Sequence, residues 1–253
     1  MEFKKDELLV KVFETRDEMG KDAAKDVAEC MRKLLSEKDE INMIFAAAPS
    51  QNDMLLHLLS EEGIDWERVN AFHMDEYIGL SKDAPQCFSN FLKRYIFDLK
   101  PFKSVNLINA AATDAEAECE RYTALLKSHP VDIVCMGIGE NGHIAFNDPH
   151  VAEFNDSKMV KVVGLDDVCR QQQVNDGCFE KIDDVPKNAL TLTIPTLVSA
   201  GYNFCVVPAP TKANAVKNTV YGEISEKCPA TILRNKKNAI MYCDKDSACL
   251  LDK

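Results

Sequence analysis

The 253-residue chain is short of basic charge: 30 Lys and Arg stand against 41 Asp and Glu, a formal net charge of −11. This disfavours nucleic acid as the main partner, because phosphate backbones are held by clustered Lys and Arg. A small anionic ligand gripped by local groups is not excluded. Long apolar runs are missing too. None approaches the roughly 18 residues of a membrane span, so no membrane partner is expected. The N-terminus, MEFKKDELLV, lacks the apolar core of a signal peptide. The ten cysteines are scattered singly, with no C-x-x-C pair and no His/Cys cluster at zinc spacing. Reduced thiols in the cytoplasm are the simplest expectation. No internal repeat or low-complexity linker divides the chain.

What is there is alternation. Apolar, strand-like runs (INMIFAAA, RVNAFHMD, SVNLIN, VDIVCMGIG, NFCVVPA and NAIMYCD) are interleaved with segments of helical period: DAAKDVAECMRKLL, DMLLHLLSEE, DAEAECERYTALLKS and TKANAVKNTV. Strands this apolar are usually buried on both faces, as in parallel sheets covered by helices. The chain therefore reads as one α/β domain over 1–253 with right-handed crossovers. The polar, weakly periodic segment 148–185 reads as an insertion or a lid. Open parallel sheets bind ligands beyond the carboxyl ends of their strands. The loops APSQND, MDEY, GIGENGH and PAPTK should accordingly share one rim.

Each loop admits a chemical and a plain reading. In GIGENGH, Gly137, Gly139 and Gly142 match the spacing of a dinucleotide fingerprint. No helix opens after Gly142, however, and HIAFNDP with Pro149 discourages one, so the dinucleotide reading is rejected. His143 beyond this turn suits general acid/base work, or is a structural histidine. Asp148 either orients that imidazole or forms a turn ahead of Pro149. Asp75 and Glu76 are adjacent carboxylates at a strand end. Mutual repulsion would make one of them hold its proton tightly, which suits a base acting beside a carbonyl; the alternative is a solvated strand end. Ser50 and Asp53 have capping-box spacing at a helix start that could bind an anion. Lys212 either brings positive charge to the rim or is a surface lysine.

Taken together, GIGENGHIAFNDP, FHMDEYIGL, AECERYTALL, NALTLTIPTLVSA and KANAVKNTVYGEISEKCPATIL resemble, in order, the glucosamine-6-phosphate deaminase/isomerase family, within a superfamily that also holds 6-phosphogluconolactonases. The resemblance implies a three-layer α/β/α sandwich with a mostly parallel, Rossmann-like sheet. It implies that Asp75 moves a proton between C2 and C1 of an opened hexosamine phosphate, that His143 assists ring opening with Asp148 in support, and that Lys212 meets the phosphate. Glu76, Gly137, Gly139 and Gly142 are expected to contact the substrate. It implies neither metal nor organic cofactor. Glucosamine 6-phosphate is the default substrate, galactosamine 6-phosphate a close variant. A lactone hydrolase and a silent sugar-phosphate sensor are the alternatives.

The chain departs from the family pattern in three places. Asn141 stands where many members carry a catalytic aspartate. The first loop, AAAPSQND, lacks glycine, so Ser50, Gln51 and Asn52 are expected to contribute side chains instead. Gly177 occupies the place of a phosphate-binding arginine, for which Arg170 is the expected replacement. A homo-oligomer is compatible with the sequence, which does not fix the number of copies.

Overall fold

Five apolar runs become the central parallel strands because both of their faces find helices to cover them, and two further parallel strands flank them. A computed structural model describes residues 1–175 and 177–251. Asp176, within the 148–185 segment, and the last two residues of the 1–253 unit lie outside them. In chain order the strands are β1 (Glu2–Lys5), β2 (Leu8–Phe13), β3 (Ile41–Phe45), β4 (Val69–His73), β5 (Asp75–Tyr77), β6 (Ser104–Asn106), β7 (Ile133–Met136), β8 (Val160–Gly164), β9 (Asn188–Leu192), β10 (Tyr202–Val207) and β11 (Ala239–Asp244). The helices are α1 (Arg16–Glu37), α2 (Asn52–Ser60), α3 (Phe88–Leu92), α4 (Ala115–Ser128), α5 (Asp167–Asn175), α6 (Ile194–Val198) and α7 (Ala213–Tyr221).

The main sheet has eight strands in the order β1-β2-β11-β10-β7-β3-β4-β6. Every pairing in it is parallel except β1 with β2. Side chains alternate between two cores. Ile133 and Cys135 of β7 join Met43 and Phe45 of β3 beneath α1 and α2. Val134 and Met136 face the other way, with Ile44, toward α4, α6 and α7. This is the expected three-layer α/β/α sandwich. Every expected strand and helix is present. The sequence reading missed β1, β2, β5, β8, β9, α3, α5 and α6.

Two features of the topology place the site. From β3 the chain winds outward through β4 to β6, then returns to place β7 on the other side of β3 and winds on through β10 to β11. The loops after β3 and β7 therefore diverge, and the crevice between them is where ligands bind in such sheets. The second feature is a three-stranded antiparallel sheet, β5-β9-β8. MDEY was expected to end a strand. Instead β4 and β5 are separated by Met74 alone, and Asp75 pairs with Thr191 of β9. The segment 148–185 supplies β8 and α5.

Helices α1 and α2 touch closely at Gly20, where a Cβ would lie 2.6 Å from Asp53 Cβ and 2.9 Å from the Asp53 carbonyl carbon. Backbone cannot yield cheaply, so Gly20→Ala is expected to destabilise the protein by about 1–3 kcal/mol, read as a fall of roughly 2–4 °C in melting temperature per kcal/mol. An unchanged melting temperature would show that the two helices can separate without cost.

Candidate active site

The four rim loops line one cavity. The loop after β3 contributes 46–50, the β4–β5 joint Met74 and Asp75, the loop after β7 Gly137, Gly139 and His143, and the loop after β10 Pro208, Ala209, Thr211 and Lys212. Phe88 of α3, Ala145, Phe146, Gln172 and Gln173 of α5, and Cys178 close the far wall, and Arg16 stands at the mouth.

Asp75 is buried at the joint between the two sheets. Burial, and second the neighbouring Glu76 charge, push its carboxyl well above the ordinary range. Alternation along β5 turns Glu76 the other way. It is fully buried and accepts from the amides of Tyr77 (3.0 Å), Phe88 (3.0 Å) and Ser89 (2.9 Å). Burial raises its carboxyl too, against these amides. The expectation that Glu76 meets ligand is therefore corrected: it anchors the start of α3 and does not line the cavity.

The loop after β7 exists to seat an imidazole. Gly139 donates to the His143 carbonyl (2.9 Å) and Gly142 to the Gly139 carbonyl (3.0 Å). A Cβ on Gly139 would fall 2.1–2.4 Å from the His143 ring, so glycine is the residue over which that ring can lie. Gly142, at φ +82°, passes against Cys228 and stays off the cavity wall. Its expected contact with ligand becomes a structural one.

Asn141 Oδ1 lies 2.8 Å from His143 Nδ1 and also accepts from the His143 amide (3.0 Å). Asp148 Oδ1 lies 3.0 Å from the same Nδ1 and accepts from Asn141 Nδ2 (2.9 Å). Burial pushes the Asp148 carboxyl up, but the bonds and charge of His143, with help from Asn141 and Cys169, outweigh it and hold the group down at about 2. Asp148 thus supplies the charge, and Asn141 is a bridge that orients both neighbours. The donor atoms of His143, Asp148 and Cys169 lie within 4.8 Å of one another. Burial, and then the Asp148 charge, raise the Cys169 thiol. Nδ1 thus faces two acceptors, Asn141 Oδ1 and Asp148 Oδ1.

The anion end differs from expectation. Pro49–Gln51 forms a single 3-10 turn ahead of α2, whose first turn has no side-chain cap. The capping box is absent because Asp53 pairs with Arg16. Ser50 lines the cavity. Gln51 is buried below it, donating to Ser50 Oγ (3.1 Å) and the Val206 carbonyl (3.4 Å). Asn52 is on α2, off the cavity. Lys212 reaches the wall and is only 7% exposed. Arg170 is corrected as well. Its guanidinium donates to the carbonyls of Ile182 (2.6 Å) and Val185 (3.2 Å) and pairs with Asp167 (3.0 Å), tying down the chain after α5 rather than facing the cavity.

Arg16, Gln172 and Gln173 were missed. Glu140 N donates to Gln172 Oε1 (3.0 Å) and Tyr77 Oη to Gln173 Oε1 (2.7 Å). Arg16 follows β2 as the other site loops follow their strands, so recognising LLVKVF as a strand would have found it. The two glutamines gave no signal beyond a polar run. Two non-glycine residues of positive φ, Ala145 (49°) and Ala209 (86°), also stand on the wall. Asp244 holds the second by accepting the Ala209 amide at 3.0 Å.

A family model described as glucosamine-6-phosphate isomerases/6-phosphogluconolactonase matches residues 14–242. A glucosamine-6-phosphate deaminase of Listeria innocua is 36% identical over 212 residues, 84% of this chain and 88% of that protein. One of Streptococcus suis is 36% identical over 194 residues, 77% and 81% of the two chains. Among solved structures, a monomeric glucosamine-6-phosphate deaminase superposes with a TM-score of 0.85 at 30% identity, over 95% of this chain and 99% of that one. The 6-phosphogluconolactonase of Thermotoga maritima superposes with a TM-score of 0.77 at 19% identity, over 94% and 100%. That is a likeness of fold alone. Among the described residues no helix is long and apolar enough to cross a membrane.

The seat of the imidazole gives a direct test. Gly139→Ala is expected to displace the ring and lower turnover by about 10²-fold, the usual scale for misplacing a reacting group by 1 Å. A folded variant with full turnover would show that the ring's position is not critical.

Proposed function

Because the chain belongs to the family of glucosamine-6-phosphate isomerases and 6-phosphogluconolactonases, we propose that it is a glucosamine-6-phosphate deaminase, converting glucosamine 6-phosphate and water to fructose 6-phosphate and ammonia. The observation that carries this reading is the buried Asp75 carboxyl, its proton affinity raised, on the wall of a cavity that it shares with an imidazole of fixed orientation. A base of that kind suits abstraction of a proton next to a carbonyl.

The proposed steps use the residues on the cavity wall and those that orient them. His143 Nδ1 faces two acceptors, so its proton resides there and Nε2 carries the lone pair, an assignment made from the hydrogen-bond partners. Nε2 takes the anomeric hydroxyl proton and returns it to the ring oxygen, which opens the ring. The imidazolium formed in between is stabilised by the Asp148 charge. The new C1 carbonyl acidifies C2. Asp75 removes the C2 proton and delivers it to C1 while O1 gains a proton and the amine nitrogen loses one, leaving an imine at C2. Water adds there and ammonia departs. C1 is reduced as C2 is oxidised, so the balance closes without an external electron carrier. Lys212 and Ser50 receive the phosphate. We place the enzyme in the cytoplasm, a reading supported by ten free cysteines.

Purified protein is expected to release ammonia and fructose 6-phosphate in equal amounts from glucosamine 6-phosphate, and more slowly or not at all from the galactosamine epimer. Ammonia from no hexosamine 6-phosphate would overturn the proposal. Asp75→Asn should abolish this turnover. It should also raise the melting temperature at neutral pH. A carboxyl whose folded-state pKa is raised binds more protons folded than unfolded, so its stability contribution falls as pH rises through that window and is a net cost above it. A variant that retains activity would remove Asp75 as the base.

Since Asp75 must be ionised to act, the acidic limb of kcat/KM should lie above the ordinary aspartate value of about 3.9. Glu76→Gln should move it down by removing the neighbouring charge. A limb at or below the ordinary value would contradict the assignment.

A further inference from the structure

The cavity mouth carries a cation that no motif pointed to. Arg16 opens α1, and its guanidinium reaches the loop after β3, where Nε pairs with Asp53 and Nη2 donates to the Pro49 carbonyl. Close packing at Gly20, one turn further along α1, brings Asp53 within reach. The Arg16 side chain remains 39% exposed. One edge of the fork is thus engaged and fixed, while Nη1 has no hydrogen-bond partner among the described residues. The loop it braces, AAAPS, lacks glycine, and Pro49 has no N–H to offer. The loops after β3 and β10 flank β7, which sets them about 10 Å apart at two strand spacings. Ser50, with the Arg16 guanidinium bonded to its loop, stands on one flank and Lys212 on the other, and all three line the same cavity.

We propose that Arg16 is a substrate-binding residue that clamps the phosphate of the sugar phosphate against Lys212. Asp53 and the Pro49 carbonyl hold the guanidinium in place, so an arriving phosphate meets a preorganised donor whose Nη1 is still to be paired. The proposal rests on the sugar-phosphate reading of the site and deepens it.

The test uses Arg16→Ala, Arg16→Lys and Asp53→Asn in the full chain, with two readouts. In the ammonia assay, Arg16→Ala is expected to raise KM for glucosamine 6-phosphate at least about tenfold, the scale of a lost charge-assisted bond. It should change kcat by less than about threefold and weaken competitive inhibition by inorganic phosphate in parallel. Arg16→Lys should recover only part of this, because a point charge cannot reproduce the fork. Asp53→Asn, which breaks the ion pair but keeps the guanidinium, should change KM much less. If Asp53→Asn reproduces the whole Arg16→Ala effect, Arg16 merely braces the loop and the proposal fails. An unchanged KM and phosphate inhibition in folded Arg16→Ala overturns it directly. The second readout is the rise in melting temperature with inorganic phosphate, which needs no turnover. A rise in the parent protein that Arg16→Ala loses supports the clamp even if no ammonia is released. The same rise in both proteins overturns it whatever the ammonia assay shows.

Discussion

Asp75 is where two sheets meet, and the rest of the site is arranged around the cost of burying it. The chain leaves the parallel sheet at His73 and enters the antiparallel one at Asp75, with one residue between. That joint takes the carboxylate out of water and places Glu76 immediately behind it. Two adjacent buried carboxylates would be unsustainable if both lacked donors. The structure resolves this by asymmetry. Glu76 receives three backbone amides, and Asp75 faces the cavity with its proton affinity raised. Strand alternation thereby sends the two neighbours into different surroundings.

A similar division surrounds His143. An amide bridge and a single short carboxylate share the work of orienting Nδ1 and balancing its charge. Because Asn141 contacts both the ring and Asp148, the one remaining negative charge is fixed in place. At the other end of the cavity, the inner cation is Lys212 and the outer one Arg16, and each is delivered by a loop at the carboxyl end of a strand. The topological switch between β3 and β7 is what lets these groups converge.

Much of this was legible in the sequence, for a physical reason. Doubly buried strands leave continuous apolar runs, so β3, β4, β7, β10 and β11 and the loops that follow them could be read directly. The amphipathic α1, α2, α4 and α7 were equally plain. The three-strand second sheet was not, because DEY is too short to show a period and sits against the end of β4. Glu76 was misassigned for that reason, since only the change of sheet reveals which way it points. Arg170 was misassigned because a chain carries no sign of whether a guanidinium will meet ligand or the carbonyls of its own loop. Arg16 was overlooked with β2, whose pattern of buried and half-buried residues is weaker than that of the central strands. The glycines of GIGENGH were all expected to contact ligand, but Gly142 is turned against Cys228, 86 residues beyond it in sequence, which no local pattern shows.

The measurement that bears most directly on this account is the titration of Asp75 itself, followed by carbon NMR of aspartate-labelled protein, with Asp75→Asn used to assign the signal. The account predicts a carboxyl that keeps its proton well above the ordinary aspartate range while Asp148 ionises far below it. An Asp75 that titrates as an ordinary, solvated aspartate would contradict the claim that burial at the joint of the two sheets makes it the base.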